Sequence, residues 1–280
     1  KYLYVANQGS GNVVAFSIDA ANGALTRVPG TPFPAGSRPS GVVVEPTGKF
    51  VYVSNEGSNN VSAYAIDSAT GALAPLPGSP FAAGQRPSRL TADGAGKFLY
   101  VTNEGSNSVS AYAIAPATGT LTLVPGSPFA AGAGPTAAVV DPTGSFLYVT
   151  NGDADNLSEY RIDAGTGALS SIQGSPIRTK RGPFGALIDS TGKYLYVPNL
   201  LGNNVSAYAI DSGTGALRPL PGGPFAVGKA PARPAFVQLT PPVLPPVVAQ
   251  SAVNAASRAL SWLPNYGVAL EHTDPYNSPN

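Results

Sequence analysis

The chain has 280 residues, of which 43% are hydrophobic and 11% charged, and its formal net charge is +1. This composition predicts a globular protein with a sizeable core, and it gives no electrostatic reason to expect binding to nucleic acid or a membrane surface. The sequence has no Cys, hence no disulfide or thiolate nucleophile, and no apolar run of about 18 residues that would span a membrane. The absence of Met indicates that a chain beginning at Lys1 is processed or a fragment.

The sequence repeats at a constant interval without an insertion, and five copies of equal length span 1–48, 49–96, 97–144, 145–192 and 193–240. Each copy begins with a segment of the type KFVYVSN, continues with one such as VSAYAID and a GALxxxPGxPF segment, and ends with an aliphatic run such as SGVVVEP. Alternation at period two predicts strands, and turns closed by Gly, such as DSATG and EPTGK, join them. Each copy therefore predicts an antiparallel meander of four strands.

Repeats of this length are typical of propeller blades, whose neighbours cover both faces of each sheet. The recurring YVAN, YVSN, YVTN and YVPN motifs resemble the YVTN-type β-propeller repeat of the lactonase-like family, over about residues 1–240. The resemblance implies an all-β propeller of four-stranded antiparallel blades, in which the strand of Pro-Ser-Gly-Val type is innermost. Lys1 would then begin at the second strand of the first blade.

The number of blades depends on how the first blade obtains its inner strand. PAFVQLT, 234–240, follows the fifth copy in the correct phase, so the favoured prediction is a ring of five blades closed by this segment. In the alternative, which the resemblance implies, the five copies are part of a seven-bladed ring.

After the repeats, residues 241–280 are predicted to be a Pro-rich linker and docking tail. PPVLPPVV, at 241–248, is expected to be extended, and AQSAVNAASRALSWL, at 249–263, has near-helical spacing of apolar residues. This tail either folds back across the propeller or acts as an arm that becomes ordered on a partner. In the second case Trp262, Tyr266 and Tyr276 would be its aromatic anchors.

Groups suited to catalysis are scarce, and no catalytic residue, metal site or cofactor is predicted. The single His, His272, lies in the tail, and no spacing of Cys or His residues suits a transition metal. Asp153 and Asp155 could touch a calcium ion, but no twelve-residue loop ending in a bidentate Glu follows them. The acids that end the inner strands are expected at the turn end, away from the variable loops: Glu45, Asp93, Asp141 and Asp189.

The loops before the inner strands vary between copies and carry cations: Arg38, Arg86, Arg89, Arg178, Lys180, Arg181, Lys229 and Arg233. We expect these residues near the axis, at the mouth of a central channel, where they would attract a carboxylate, a phosphate or an acidic partner surface. Alternatively they are solvated loop charges, and some pair with acidic residues of the neighbouring hairpins: Glu56, Glu104, Asp153 or Asp155.

These features favour a non-catalytic secreted, periplasmic or cell-surface propeller, which would serve as a scaffold or accessory subunit for a protein or glycan partner. Under the first alternative, which the resemblance implies, the protein is a lactonase-like hydrolase of an anionic sugar lactone. Glu, His and Arg would then be expected together at the channel, yet no His falls in the repeats. A surface-layer or filament component is a further alternative, which differs from the scaffold in stoichiometry.

Overall fold

The structure is a computed structural model that describes residues 1–232. The predicted closing strand 234–240 and the tail 241–280 lie outside the described residues. Within the described part all regular structure is β-strand, arranged in five antiparallel sheets that follow one another along the chain. Among residues 1–232, no helix has the length and hydrophobicity that crossing a membrane requires. The all-β propeller predicted from the repeats is confirmed.

Strands were numbered in chain order. The first sheet contains β1 (Tyr2–Asn7), β2 (Asn12–Ile18), β3 (Leu25–Arg27) and β4 (Phe33–Pro34). The second contains β5 (Pro39–Val44), β6 (Phe50–Asn55), β7 (Asn60–Ile66), β8 (Leu73–Pro75) and β9 (Phe81–Ala82). The third contains β10 (Pro87–Ala92), β11 (Phe98–Asn103), β12 (Ser108–Ile114), β13 (Leu121–Leu123) and β14 (Phe129–Ala130). The fourth contains β15 (Pro135–Val140), β16 (Phe146–Asn151), β17 (Asn156–Ile162), β18 (Leu169–Ser171) and β19 (Ile177–Arg178). The fifth contains β20 (Leu187–Ile188), β21 (Tyr194–Asn199), β22 (Asn204–Ile210), β23 (Leu217–Pro219) and β24 (Phe225–Ala226).

The outermost strand of each blade differs from the prediction, because the GALxxxPGxPF segment forms two short strands instead of one. In the second sheet β8 and β9 both pair with β7, at opposite ends of that strand. Between them the chain turns at Gly78, which has a φ of +81°, and passes through the cis Ser79–Pro80 peptide. The residues of this turn do not pair with β7, so the outermost strand of the blade is interrupted and consists of two short pieces.

The inner strands lie around the axis. β5, β10 and β15 each pair with the strand that follows and lie beside one another, with β5 next to β10 and β10 next to β15. The first sheet has no inner strand among the described residues, because the chain enters this blade at its second strand. In the fifth sheet the regular part of the inner strand shrinks to β20, preceded by an isolated bridge between Pro183 and Asn199.

The hydrophobic core lies between consecutive blades, and it is organised by a contact that repeats with the sequence. The Tyr52 hydroxyl donates a 2.8 Å hydrogen bond to the carbonyl oxygen of Gly119 in the turn of the next blade. The ring of Phe50 covers the same glycine, on which a Cβ would fall 2.4 Å from the ring. Gly119 has a φ of +69°, a conformation in which a side chain would be strained. We call this arrangement the aromatic–glycine contact.

The aromatic–glycine contact occurs at each of the four junctions between described blades. The hydroxyl-to-carbonyl distances at the other three are 2.9 Å for Tyr4 to Gly71, 3.1 Å for Tyr100 to Gly167 and 2.7 Å for Tyr148 to Gly215. The covering rings at these junctions are those of Tyr2, Phe98 and Phe146. The same geometry at every junction sets each blade in the same relation to the one before it.

The aromatic–glycine contact is incomplete at both ends of the described chain. The first blade has the turn glycine and the last blade has the aromatic side chains, each without its partner among the described residues. Gly23 of the first blade has the same positive φ, +75°, but no described atom lies within 4 Å of where its Cβ would be. In the fifth blade the Tyr194 ring, which corresponds to Phe50, is 39% exposed. The described blades therefore do not close on one another, and the favoured five-bladed closure still depends on 234–240.

The acids that end the inner strands are buried at the turn end, as the sequence predicts: Glu45, Asp93, Asp141 and Asp189. Asp141 shows their role, since one carboxylate oxygen accepts the backbone N–H groups of Ser145 at 2.8 Å and Phe146 at 2.7 Å. Burial by itself would raise the pKa of Asp189, but hydrogen bonds from Thr191 and the following backbone outweigh it and hold that pKa below its ordinary value. These carboxylates stabilise turns, and they lie away from the variable loops that enter the inner strands.

The aromatic–glycine contact predicts unequal effects for two Tyr→Phe substitutions. Tyr52→Phe leaves the buried Gly119 carbonyl without its donor, so we expect the free energy of unfolding to fall by about 1–2 kcal/mol. Tyr194→Phe, at the exposed equivalent of Phe50, should change it by less than about 0.5 kcal/mol. Urea unfolding followed by circular dichroism measures both, and equal losses would contradict this account of the blade junction.

Candidate functional site

One end of the propeller is assembled from the hairpin loops that follow the YVxN strands, such as the loop between β6 and β7, and from the loops that enter the inner strands. In the NEGS loop of the second blade the positive φ falls on Asn59, at +55°, and not on Gly57. The Asn59 side-chain oxygen accepts the backbone N–H of Arg86, at the entrance to the next inner strand, at 2.9 Å. Asn107 and Asp155 hold the next two entrances in the same way, at 3.0 and 2.7 Å. These three hairpins therefore each fix the entry loop of the following blade.

This convergence brings two carboxylates and two cations of different blades together. Arg86 bridges the two carboxylates, with its Nε 3.3 Å from Glu56 Oε1 and its Nη2 3.0 Å from Glu104 Oε1. Glu56 also lies 3.4 Å from Arg38 and accepts a 3.1 Å hydrogen bond from the Gln8 side-chain amide. The side chain of Glu56 is 12% exposed and that of Glu104 is 32% exposed, so Glu104 is the more accessible carboxylate.

Two adjoining cavities of about 270 and 280 Å³ lie at this end of the axis. Arg89, Thr136 and Phe184 line both of them, and the second is also lined by Gln8, Ser40, Glu56, Ser88 and Glu104. Arg89, on β10, donates a 2.8 Å hydrogen bond from Nη1 to the Ser40 carbonyl of the preceding inner strand, which holds its guanidinium in the channel wall. We call the second cavity, with Arg38 and Arg86 at its rim, the channel mouth.

The described side chains of the channel mouth include more cations than acids. They are the guanidinium groups of Arg38, Arg86 and Arg89 and the carboxylates of Glu56 and Glu104. Such a site can bind an anion through planar, bidentate hydrogen bonds, while a carboxylate beside it can accept a proton from water. The arrangement combines the groups that general-base attack on a polar, negatively charged substrate requires.

Arg38 and Arg86 are present despite an unfavourable backbone conformation. Their φ angles are +52° and +51°, in the left-handed region where the equivalent residues of the next two copies are Gly134 and Gly182. A side chain at such a position costs about 1–2 kcal/mol, and exposed ion pairs return only about 0–1 kcal/mol. The equivalent Ala230 of the fifth copy has a φ of +52° as well, so this conformation belongs to the entry loop and does not by itself mark a functional residue.

The structure places the other predicted cations apart from the channel mouth. Arg178 and Lys180 line a groove of about 390 Å³ together with Tyr208 and Pro219, between the fourth and fifth blades. Arg181 and Lys229 are exposed on entry loops. The remaining predicted binding residues lie outside the described part of the chain: Arg233, Trp262, Tyr266 and Tyr276, as does His272.

The structure gives Asp155 a structural role, because its carboxylate holds the N–H of Gly182. Its neighbour Asp153 lies against Gly134, on which a Cβ would fall 2.5 Å from a carboxylate oxygen. Within residues 1–232 no three acidic or His side chains come close enough together to hold a metal ion.

Glu159 is a buried acid that sequence reasoning missed. It lies on β17 at a position where the other copies have Ala, and it is 2% exposed at the junction of the fourth and fifth blades. Its Oε1 accepts the Leu217 N–H at 3.1 Å, and its charge acts on the hydroxyls of Tyr148 and Tyr208. Burial raises the pKa of Glu159 to about 7, and the bond from Leu217 opposes this only in part. The replacement of SAY by SEY in the fourth copy is the signal that could have identified it.

Sequence reasoning considered Glu56 and Glu104 only as ion-pair partners of loop cations. Both follow the YVxN motif directly, where the first copy has Gln8 and the fourth and fifth have Gly152 and Leu200. Their position in the repeat could have identified them, because the residue directly after the YVxN motif begins each hairpin loop at the axial end of the blade.

Comparisons with known proteins are consistent with this geometry. The chain matches the model of a family described as lactonase, 7-bladed beta-propeller, over residues 1–133, 74–183 and 124–231. Among solved structures it is similar to the periplasmic gluconolactonase PpgL of Pseudomonas aeruginosa, with 22% identity and a TM-score of 0.70 over 82% of this chain and 68% of that one. A Bacteroides fragilis protein provisionally described as a 6-phosphogluconolactonase gives 23% identity and a TM-score of 0.71 over 85% and 71%. A Lactobacillus plantarum protein gives 26% and 0.69 over 83% and 70%. A search of curated proteins gave no significant match.

The strained arginine predicts that glycine is better tolerated than alanine at position 86. Arg86→Gly and Arg86→Ala remove the same ion pairs, but only the alanine variant keeps a Cβ at a φ of +51°. We expect Arg86→Gly to be more stable than Arg86→Ala by about 1 kcal/mol in urea unfolding. Equal stabilities would show that the backbone at this position is not strained.

The buried Glu159 predicts a pH-dependent stability. Its pKa rises from 4.5 to about 7 in the folded state, so the native protein binds a proton that the unfolded chain has lost between these values, and stability falls as pH rises through this range. Glu159→Gln keeps an acceptor for Leu217 without the charge, and it should be more stable than the wild type by roughly 1–3 kcal/mol at pH 8. At pH 4 the two proteins should unfold alike. A constant difference across this range would contradict the assignment.

Proposed function

The chain belongs to the seven-bladed lactonase β-propeller family, and from this membership and its channel mouth we propose that it is a hydrolase that opens a sugar lactone. The observation that carries the proposal is the presence of Glu104 and Arg89 in the wall of one cavity, with Arg86 bound to Glu104 at its rim. A proton acceptor and fixed positive charges at one concave site are the minimum that ester hydrolysis requires.

The non-catalytic scaffold favoured in the sequence analysis is therefore wrong. That prediction depended on the shortage of His and Cys and assigned the loop cations to a partner surface. The family match favours the hydrolase over the scaffold. In the structure, Glu56 and Glu104, which occupy equivalent positions in successive copies, are joined through one arginine. The propeller thus assembles reactive groups that no single copy contains.

Two observations support an anionic sugar lactone as the substrate. Two of the similar structures are described as a gluconolactonase and, provisionally, as a 6-phosphogluconolactonase, and by those names they act on sugar lactones. The channel mouth carries three arginine side chains, and guanidinium groups bind a carboxylate or phosphate of a substrate well. We assign the choice between a phosphorylated and an unphosphorylated lactone to Arg89, which is less exposed than Arg38 and Arg86.

The reaction proceeds in two proton-transfer steps at Glu104. Its carboxylate accepts a proton from a water molecule, whose oxygen attacks the lactone carbonyl carbon and forms a tetrahedral oxyanion. When the oxyanion collapses, the bond between the carbonyl carbon and the ring oxygen breaks, and Glu104 returns the proton to that ring oxygen. The product is the open-chain hydroxy acid, and the carboxylate of Glu104 is regenerated.

The neighbouring charges position and stabilise these groups. Arg86 binds Glu104 at 3.0 Å and is itself held by Glu56, so the accepting carboxylate keeps one orientation. Guanidinium groups fixed before the reaction stabilise the oxyanion more effectively than water, which would have to reorganise. Glu56, with three polar partners, is a positioning residue, whereas Glu104 is the proposed catalytic residue.

The site departs from the Glu, His and Arg combination that the family resemblance implies. Residues 1–232 contain no His, and the single His272 lies beyond the described residues. We therefore assign the proton acceptor to a carboxylate, which is the only type of side chain with suitable chemistry among the described residues of the channel mouth. Carboxylates serve as general bases in many hydrolytic sites.

The predicted extracytoplasmic location is retained as part of this proposal. The similar Pseudomonas aeruginosa gluconolactonase is periplasmic, which supports the periplasm among the expected compartments. The protein or glycan partner expected from the tail remains a prediction, because Trp262, Tyr266 and Tyr276 lie outside the described residues.

Hydrolysis of glucono-1,5-lactone and its 6-phosphate, corrected for spontaneous opening, tests the proposal. Glu104→Gln keeps an oxygen for Arg86 but cannot accept a proton, so kcat should fall by roughly 100- to 10,000-fold with little change in KM. Unchanged turnover in this variant would remove Glu104 from the mechanism.

Arg181→Ala is the matched control for this experiment. Arg181 is also a cation of an entry loop, but it is exposed and lines neither cavity of the channel. Its removal should leave both kinetic constants within about twofold. A wild-type protein that opens neither lactone faster than buffer would refute the proposed function.

A further inference from the structure

The wall of the channel is built from one repeated position, the residue that follows the entry proline of each inner strand. In three copies this residue is Ser or Thr, and its side-chain hydroxyl donates a hydrogen bond to the entrance of the next inner strand. Ser40 donates to the Pro87 carbonyl at 3.1 Å, Ser88 to that of Pro135 at 3.4 Å, and Thr136 to that of Pro183 at 2.9 Å. These hydroxyls bind one blade to the next and are engaged within the wall.

Each of these hydroxyls also has a partner on the second strand of its own blade. The oxygen-to-oxygen distances are 3.3 Å for Ser40 and Ser54, 2.9 Å for Ser88 and Thr102, and 2.8 Å for Thr136 and Thr150. In the fifth blade both members of the pair are changed, to Phe184 and Pro198. This double change removes the whole hydroxyl pair from the blade.

The backbone around Phe184 departs from the regular blade in the same place. The Phe184 N–H still bonds to the Pro198 carbonyl at 2.9 Å, but Gly185 then adopts a φ of +93° and regular pairing resumes only at Leu187. Phe184 is half-buried, belongs to none of the four hydrophobic clusters between blades, and lines both cavities of the channel. The fifth blade therefore presents an aromatic ring to the channel where the second, third and fourth blades have a hydroxyl.

We propose that Phe184 is a specificity-determining residue whose ring supports the C–H face of a six-membered sugar ring in the channel. The proposal depends on the proposed function for the identity of the sugar lactone. The C–H bonds on one face of a pyranose or a 1,5-lactone carry a small positive charge, and the face of an aromatic ring carries a negative one. With Arg89 and Thr136 in the same cavities, Phe184 supplies the apolar surface that a ligand pocket combines with a few polar groups.

Phe184 and Arg89 divide recognition between the ring and the anionic group. The aromatic face contacts the carbon skeleton, so its contribution is the same whether or not the substrate carries a phosphate. The guanidinium contributes mainly when the phosphate is present. This division distinguishes the proposed role from a general contribution of Phe184 to folding.

Glucose 6-phosphate and glucose test the inference, because both have a six-membered ring and neither can be hydrolysed as a lactone. NMR titration of the wild type and of Phe184→Ser, which carries the residue found in the second and third copies, gives a Kd for each sugar. We expect Phe184→Ser to weaken both sugars by roughly 10-fold. Arg89→Gln should weaken only glucose 6-phosphate.

Two further variants separate the aromatic face from volume and keep the test valid if Phe184→Ser does not fold. Phe184→Tyr should bind both sugars within twofold of the wild type, and Phe184→Leu should bind as weakly as the serine variant. Phe225→Ser, at a Phe that is 45% exposed on the outer strand β24, is the control and should leave both Kd values unchanged. Equal binding by the tyrosine and leucine variants, or no binding of either sugar by the wild type, would overturn the inference.

The outcomes for the two proposals are separable. Binding that depends on Phe184 in a protein without lactonase turnover would contradict the proposed function alone. Turnover that depends on Glu104 but is indifferent to position 184 would contradict only the role of Phe184.

Discussion

The aromatic–glycine contact is the constraint on which the rest of the structure depends. At each junction a tyrosine hydroxyl reaches the carbonyl of a turn glycine in the next blade, as Tyr52 does with Gly119, while an aromatic ring covers the same glycine. A side chain on that glycine would clash with the ring, and its positive φ would strain any residue with a Cβ. Because this contact repeats from copy to copy, each described blade packs on the next in the same way, and their hairpins converge at one end of the axis.

The residues to which we assign the proposed function are those that differ between copies. The blade junctions need the aromatic residues, the turn glycines and the buried turn acids, and these change little from copy to copy. The hairpin tips and the entrances to the inner strands contribute little to the core, so they can carry Glu104, Arg86 or Phe184 in one copy and Gly or Ser in another. The stability cost is small and local, as with the left-handed backbone of Arg86.

The sequence predicts the fold well because strands and turns depend on local alternation and on a fixed period. It also predicts that Asp141 and its equivalents lie at the turn end of the inner strands. The divided outer strand was not predicted, since nothing in GALxxxPGxPF shows how many of its residues remain in the ladder. The site could not be predicted from residue types alone, because Glu56 and Glu104 gain their chemistry from an arginine of another copy. Phe184 and Glu159 were visible only as departures from the repeat.

The central claim is that the channel mouth is the place where an anionic sugar lactone is bound and opened. A crystal structure of the protein with the hydrolysis product 6-phosphogluconate tests this claim most directly. The account predicts the product in the cavity bounded by Arg89, Glu104 and Phe184, with its phosphate at the Arg89 guanidinium. A product molecule bound only in the peripheral groove of Arg178 and Lys180, with the channel mouth empty at a saturating concentration, would contradict it.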